Sequence, residues 1–552
     1  MKKTLAIAGV LSSGLALTLL FNSNAPGSDL FEISKNIDIF TSVYKELNTY
    51  YVDDLDPNRI MRTGIDAMLE SLDPYTNYIS EAELEGYKFQ ITGNYGGIGA
   101  TIRPVDGKVT VVDVFEGFPA FKAGLQPGDE LKKIDDHTVL ENDESSISEL
   151  LRGSPGTPVA LTVFRAGTGE TLQLELTREE INQGNVPYFG MVDDHTGYIM
   201  LTQFTEDAGR NVADALKKLQ EDHPDLSGVI LDLRGNPGGL LREAVNVSNV
   251  FIPKGLEVVS TRGRVEEWDK SFVSINNPVD TEIPLVVLTS RSSASASEIV
   301  AGVIQDYDRG VILGQKTFGK GLVQTTRDVS YKTKLKLTTA KYYIPSGRCI
   351  QAIDYANRNE DGSVGKIPDS LKVAFSTRAG RTVYDGGGID PDVAVGEENY
   401  RDITISLLQG NHIFHYATQY FYSHPNISPA NSFSLTDEEY DGFVRFMSGR
   451  TYEYTTETEE LLAAFEESAR EDAYYDAVKN EIDGLHAKVT HDKQNDLYKF
   501  KDEILFELNR EIAGRYYNYN GRVEVSFRYD PDIQEAIRTL KNPEAYTKLL
   551  SK

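Results

Sequence analysis

The chain has 552 residues, enough for several domains. Its 84 Asp and Glu against 56 Lys and Arg give a formal charge of −28, which argues against nucleic acid or an anionic membrane surface as the main partner. A single cysteine, Cys349, excludes an intramolecular disulfide and any cysteine-rich metal site; no HExxH and no His/Cys pairing with zinc spacing is present, so neither metal nor cofactor is expected.

At the start of the chain, Lys2 and Lys3 precede the apolar run Leu5 to Phe21, the pattern of a secretory n-region and h-region. Ser12, Ser13 and Gly14 interrupt the run, which is short for a membrane span. Ser23 and Ala25 fit a small-x-small cleavage rule and Pro26 opposes it, so residues 1–28 read either as a cleaved signal peptide or as an N-terminal membrane anchor. Both readings place the body of the protein outside the cytoplasm, in the periplasm or cell envelope.

Residues 29–94 read as helical. Ile33, Ile37, Phe40, Val43, Tyr44 and Leu47 recur at helical spacing, and a second helix near Arg59 to Leu72 stops at Asp73-Pro74. Residues 95–181 read as a small β-rich domain, with Gly97-Ile-Gly-Ala-Thr-Ile102, a strand Val109 to Val114, and Pro119-Ala-Phe-Lys-Ala-Gly-Leu-Gln-Pro-Gly-Asp-Glu-Leu131. From 182 to 395 strands and helices alternate. Strands are expected at Gly197 to Phe204, Gly228 to Arg234, Leu256 to Arg262, Leu285 to Thr289, Gly310 to Gly314 and Leu335 to Tyr343, with helices at Glu206 to Leu219, Leu240 to Phe251 and Ser293 to Asp306. Such alternation implies a mainly parallel sheet with covering helices. Cys349, in Pro345-Ser-Gly-Arg-Cys-Ile350, is expected to be a half-buried structural residue. Residues 396–552 read as a helical appendage for stability or partner contact, with Thr436-x-x-Glu439 as a capping box before Tyr440, Phe443 and Phe446.

Three stretches carry the chemistry. Ser295 follows the strand ending at Thr289 and opens the helix Ala296, Ile299, Val300, Val303, Ile304. A nucleophile there faces the first N–H groups of a helix, which favour negative charge. Ser295-x-x-Glu298 is equally a capping box, and on its own Ser295 reads more readily as a cap. A serine nucleophile needs a base. No histidine lies between His223 and His412, so either a distant histidine folds in or Lys320 of Thr317-Phe-Gly-Lys-Gly321 takes the role. A lysine base must be neutral, which burial favours, and Phe318, Leu322 and Val323 offer an apolar setting. The third stretch, Val229-Ile-Leu-Asp-Leu-Arg-Gly-Asn-Pro-Gly-Gly239, runs a buried strand into a glycine turn whose N–H groups can face a pocket.

Taken in order, these stretches resemble the carboxyl-terminal processing peptidases, also called tail-specific proteases, over roughly residues 30–395. The resemblance implies that Ser295 is the nucleophile and Lys320 the base, with Gln324 holding the amine by a hydrogen bond. It implies an oxyanion site from the N–H of Ala296 and that of Gly238 or Gly239, and a supporting role for Asp306. Leu72-Asp-Pro-Tyr-Thr76 resembles the family's N-terminal helical segment, which implies oligomer contacts, and Gly386-Gly-Gly-Ile-Asp-Pro-Asp392 resembles the end of its catalytic core. The 95–181 segment resembles a PDZ domain, which implies that Gly97, Ile98 and Gly99 receive a peptide's terminal carboxylate and that Arg152 couples tail binding to catalysis. The fold implied is a multidomain α/β chain, a crotonase-like, mainly parallel core at 182–395 with a PDZ domain and helical N- and C-terminal regions. The function implied is an exported serine endopeptidase acting on proteins through their free C-termini. A catalytically silent tail-binding adaptor and a crotonase-like acyl-CoA enzyme are the competing readings; the retained serine, lysine and glutamine oppose the first, the PDZ segment and the export signal the second.

Overall fold

The computed structural model describes residues 27–141, 144–182, 184–359, 361–396, 400–493 and 495–552; the leader expected at 1–28 lies outside the described residues up to Pro26. Two helices, Gly27–Tyr50 and Pro57–Glu70, come first. Asp56 caps the second by accepting the N–H of Asn58 and of Arg59, with Pro57 in the first turn. The first buries little: Phe31 is 68% exposed, and Ile33, Ile37, Phe40, Val43 and Leu47 are exposed as well. A short strand, Asn77–Ile79, follows that no periodicity announces, then a helix Leu84–Thr92 closed by Gly93 in the left-handed region.

The small β domain is a sheet whose central path runs Ala100–Val105, Lys108–Val114, Asp129–Ile134, Pro158–Arg165, Glu170–Thr177, with the helix Glu144–Leu151 packed against it. Its core gathers Ile98, Val111, Leu131, Ile147, Leu161 and Val163. Asn94–Gly97 pairs antiparallel with Glu179–Asn182, so the segments entering and leaving the domain are stitched together.

The central sheet has six strands in the order Tyr188–Met191, Thr196–Met200, Gly228–Asp232, Leu285–Thr289, Val311–Gly314, Val393–Ala394. The first pair is antiparallel and every later pair parallel. Gly228–Asp232 and Leu285–Thr289 are buried at every position, which is why they read as unbroken apolar runs. Alternate residues serve two layers. Val229, Leu231, Leu285 and Val287 face the helices Ala208–Asp222, Leu241–Phe251 and Ala296–Asp306. Ile230, Val286, Leu288, Val311 and Leu313 face Val523, Phe527, Ile533 and Ala536 from the C-terminal helices.

Two sequence expectations change here. The strands Glu257–Gly263 and Lys334–Tyr343 do not join the parallel sheet. They form a separate antiparallel sheet with Asn77–Ile79, Lys270–Val273 and Leu322–Asp328. Their mixture of buried and half-exposed positions marks a sheet wet on one side. The C-terminal region is also more than an appendage, because its last helices form the second cover of the central sheet. Its other helices, from Asp402–Gln409 onward, build a core of their own around Ile413, Tyr440, Phe443, Leu508 and Ile512. Thr436 and Glu439 close the capping box read from sequence.

Candidate active site

Ser295 stands at the turn between the buried strand Leu285–Thr289 and the helix Ala296–Asp306, with φ 56° and ψ −112°. That backbone is strained for a non-glycine residue and lifts the side chain out of the helix's path. No helix N–H donates to Ser295 Oγ in cap geometry. The capping box closes from its other side: the Ser295 N–H donates to Glu298 Oε2 at 2.8 Å.

Glu298 is fully buried and does far more than cap. Its Oε2 also accepts the N–H of Lys320 at 2.9 Å, and its Oε1 accepts the Thr317 hydroxyl at 2.6 Å and the Gly319 N–H at 2.7 Å. One carboxylate thus ties the turn at Ser295 to the loop that carries Lys320. Burial pushes its pKa up to about 7 against the downward pull of those donors. The Tyr342 hydroxyl makes a second tie, bridging the carbonyl oxygens of Ser295 (3.1 Å) and Lys320 (2.5 Å). Gly319 is required for the loop to lie where it does: at φ +90° a Cβ would sit 2.4 Å from that of Ala352.

Ser295, Ala296, Lys320, Gln324, Gly238 and Gly239 all open onto one cavity of about 510 Å³. The Lys320 amine lies 4.1 Å from the centre of the Tyr75 ring. Burial, helped by the like charge of Lys336, lowers its pKa to about 8, while Glu298 and Asp73 pull the other way. The dry setting comes from Tyr75 and Leu322 rather than from Phe318, which is 47% exposed. Tyr75 belongs to Leu72-Asp-Pro-Tyr-Thr76, so this motif reaches the amine of Lys320. Asp73 holds the turn by accepting from Tyr75 N–H, Thr76 N–H and Thr76 Oγ1, and Thr76 meets Thr338 on the antiparallel sheet.

The remaining expected residues fall as follows. Gln324 shares the cavity, but its amide donates to Thr338 Oγ1 at 3.2 Å, and among the described residues it makes no hydrogen bond to Lys320. Gly238, at φ +98°, lies so close to Ser295 that a Cβ would be 2.8 Å from Ser295 Cβ. Its N–H donates to Asn236 Oδ1 at 2.9 Å. Asp306 is at the far end of the helix that follows Ser295, about 16 Å away at 1.5 Å per residue. There it pairs with buried Arg348 at 2.9 Å and accepts the Ser346 N–H, so it props the fold and does not reach the cavity. Cys349, beside Arg348, is half-buried.

Gly97, Ile98, Gly99 and Arg152 come together at a second cavity, of about 310 Å³, between the strand Ala100–Val105 and the helix Glu144–Leu151. The Arg152 guanidinium lies 5.3 Å from the centre of the Tyr95 ring and 6.0 Å from that of Phe89. Phe89 is on the helix Leu84–Thr92, and the same helix presents Tyr87, Gln90 and Ile91 to the catalytic cavity, so the two cavities share a wall. Glu298 and Tyr75 are the functional candidates that sequence reasoning missed. The first was hidden by the capping-box pattern, the second by its distance along the chain.

Known proteins bear on this arrangement. Residues 195–357 match peptidase family S41, residues 96–176 match a PDZ domain, and residues 403–540 match a probable PDZ-protease C-terminal helical domain. The carboxy-terminal-processing protease of Bartonella bacilliformis is 37% identical over 321 residues, 58% of this chain and 73% of that protein. The carboxy-terminal processing protease CtpA of Bacillus subtilis is 32% identical over 394 residues, 71% of this chain and 82% of that protein. Among solved structures, the photosystem II D1 C-terminal processing protease is similar at 25% identity and a TM-score of 0.35, over 65% of this chain and 93% of that one. On the sequence matches the chain belongs to the carboxy-terminal processing proteases of peptidase family S41: it is a PDZ-containing, serine-type peptidase.

Proposed function

We propose that the protein is an exported endopeptidase that reads the free C-terminus of a protein substrate in its PDZ groove and cuts the chain with a Ser295/Lys320 dyad. The observation that carries this reading is the shared buried anchor: Glu298 fixes the backbone of both residues on the rim of one cavity. Neutral Lys320 accepts the Ser295 hydroxyl proton as Oγ attacks the scissile carbonyl. The tetrahedral oxyanion is met by the N–H groups of Ala296 and Gly239. Gly239 takes this role because the Gly238 N–H is already held by Asn236. Lysine then passes its proton to the leaving amine, and water releases the acyl group from serine.

The substrate's terminal carboxylate is assigned to the N–H groups of Gly97, Ile98 and Gly99, with the tail lying along Ala100–Ile102 as an added strand. Arg152 and the helix Leu84–Thr92 lie between that groove and the catalytic cavity and are assigned the coupling role. The parallel sheet with its glycine turn is assigned a crotonase-like ancestry, and the exposed apolar side chains of Gly27–Tyr50 are assigned to contact with a second copy. An N-terminal leader is assigned to residues 1–28, and with it a place in the periplasm or cell envelope.

The test compares wild type, Ser295→Ala and Lys320→Ala on unfolded proteins with free or amidated C-termini. Both variants are expected to lose at least about 10³-fold in turnover, the scale of removing a nucleophile or its base. Amidation is expected to slow only the wild-type reaction. Equal cleavage by all three proteins overturns the dyad; indifference to amidation overturns tail reading.

A further inference from the structure

The catalytic cavity is cationic in a strongly anionic protein. Among the residues that line it, Lys320 and Lys336 are charged, and no aspartate or glutamate is present, although the chain carries −28 overall. Lys320 must be neutral to act as a base. The charge left to face a bound peptide is that of Lys336.

Lys336 lies in the strand Lys334–Tyr343, in register with Thr326 on one side and Asn77 on the other, so its position is fixed by two neighbouring strands. Other lysines of the same hairpin have acidic partners: Lys334 meets Asp328 at 2.5 Å and Lys332 meets Glu81 at 3.3 Å. The Lys336 ammonium has no ion pair and no hydrogen bond among the described residues, in contrast to its backbone, which sits in the strand ladders. It is half-buried, and burial alone lowers its pKa. An ammonium withdrawn from water without a counter-charge is costly, and a site of this kind gains when an anion arrives. The surrounding wall suits a peptide: Gln324 and Thr326 offer polar groups beside Leu241, Ile299 and Leu322.

We propose that Lys336 is a specificity-determining residue, whose ammonium receives a carboxylate of the peptide substrate close to the scissile bond. This rests on the Ser295/Lys320 reading of the cavity. The carboxylate has two sources in a peptide: an aspartate or glutamate side chain near the cut, or the terminal carboxylate of a short leaving segment. Both offer the same planar anion to the same ammonium.

The experiment uses the full chain and quenched fluorescent peptides in which one glutamate is moved through the positions flanking a fixed cleavage site. Each is paired with its glutamine match and made with a free and an amidated C-terminus. Wild type is expected to prefer glutamate at one position by roughly 10- to 100-fold in kcat/KM, the range for a hydrogen bond to a charged group. Lys336→Met is expected to flatten that preference, Lys336→Glu to reverse it, and Lys336→Arg to retain most of it. If the terminal carboxylate is the ligand, the amidation penalty on peptides with short leaving segments disappears in Lys336→Met, while any penalty from the PDZ groove persists in it. Wild-type cleavage with no preference at any position, or a preference that survives in Lys336→Met, overturns the proposal. So does a Lys336→Met effect confined to the pH profile. Should Lys336→Met not fold, Lys336→Gln supplies the uncharged arm. Cleavage that persists in Ser295→Ala instead condemns the underlying dyad, so the two failures are separable.

Discussion

Glu298 accepts four donors from two segments of the chain, and two of those donors are the N–H groups of Ser295 and Lys320, the proposed nucleophile and base. Replacing it by glutamine keeps the shape but turns one oxygen into an NH₂ group that faces N–H or O–H donors. Unsatisfied buried donors cost about 1–3 kcal/mol each. Glu298→Gln is therefore expected to lower stability by about 2–4 kcal/mol and kcat by roughly 10²-fold, read by urea denaturation and peptide hydrolysis; unchanged kcat in a folded variant would falsify its positioning role. The sequence revealed the partners but not the hub. That Ser295 and Lys320 share one cavity was legible, because their motifs and the absence of a nearby histidine pointed the same way. Glu298 was not, since Ser-x-x-Glu at a helix start is satisfied by capping alone, and only burial and the Thr317–Lys320 loop distinguish the two uses. Gln324 shows the reverse case. Its residue type suited an amine partner, yet strand pairing with Thr338 directs its amide elsewhere.

Among the elements, the segment between the N-terminal helices and the small β domain carries unexpected weight. Its turn places Tyr75 over the Lys320 amine, and its strand Asn77–Ile79 joins the sheet that bears Lys336. The proposed dyad needs Lys320 neutral, so kcat/KM is expected to rise with pH through about 8 and then level off. Exclusion of water is the main cause of that lowered value, and it outweighs the attraction of the ring face for a cation. Tyr75→Ala is expected to move the midpoint upward, toward the ordinary lysine value of 10.5, and to slow the reaction at neutral pH; Tyr75→Phe is expected to leave it in place. Identical pH profiles for wild type and Tyr75→Ala would remove Tyr75 from the site. The helices and the parallel strands were readable from periodicity. The antiparallel sheet was not, because Glu257–Gly263 and Lys334–Tyr343 alternate with helices in the chain without pairing to the strands of the central sheet. Asn77–Ile79 is three residues long and has no period to detect.

For the molecule as a whole, the C-terminal helices bind the other parts together. Arg234, in the strand-to-turn segment that ends in Gly238 and Gly239, pairs with Asp232 at 2.7 Å, Asp530 at 2.8 Å and Asp532 at 2.9 Å. Arg522 reaches Asp113 of the PDZ domain at 3.1 Å, and Tyr422 donates to Gln126 there. The double substitution Asp530→Asn, Asp532→Asn is expected to cost about 1–3 kcal/mol and to slow turnover by loosening the glycine turn. Denaturation midpoints and kcat unchanged from wild type would show that the brace is inert. This role was hidden in the sequence because residues 396–552 carry no catalytic motif, and an amphipathic helix does not announce which sheet it will cover.

That shared cover has a bearing on when the enzyme becomes active. Tyr75 leaves the ribosome before Ser295 and Lys320, and the residues from Val523 to Ala536 that close the far face of the sheet arrive about 200 residues after them. A nascent chain therefore holds the proposed dyad for an interval without the frame that aligns it. The order of synthesis itself acts as a timer, keeping the site incomplete until the helices that cover the sheet have been made.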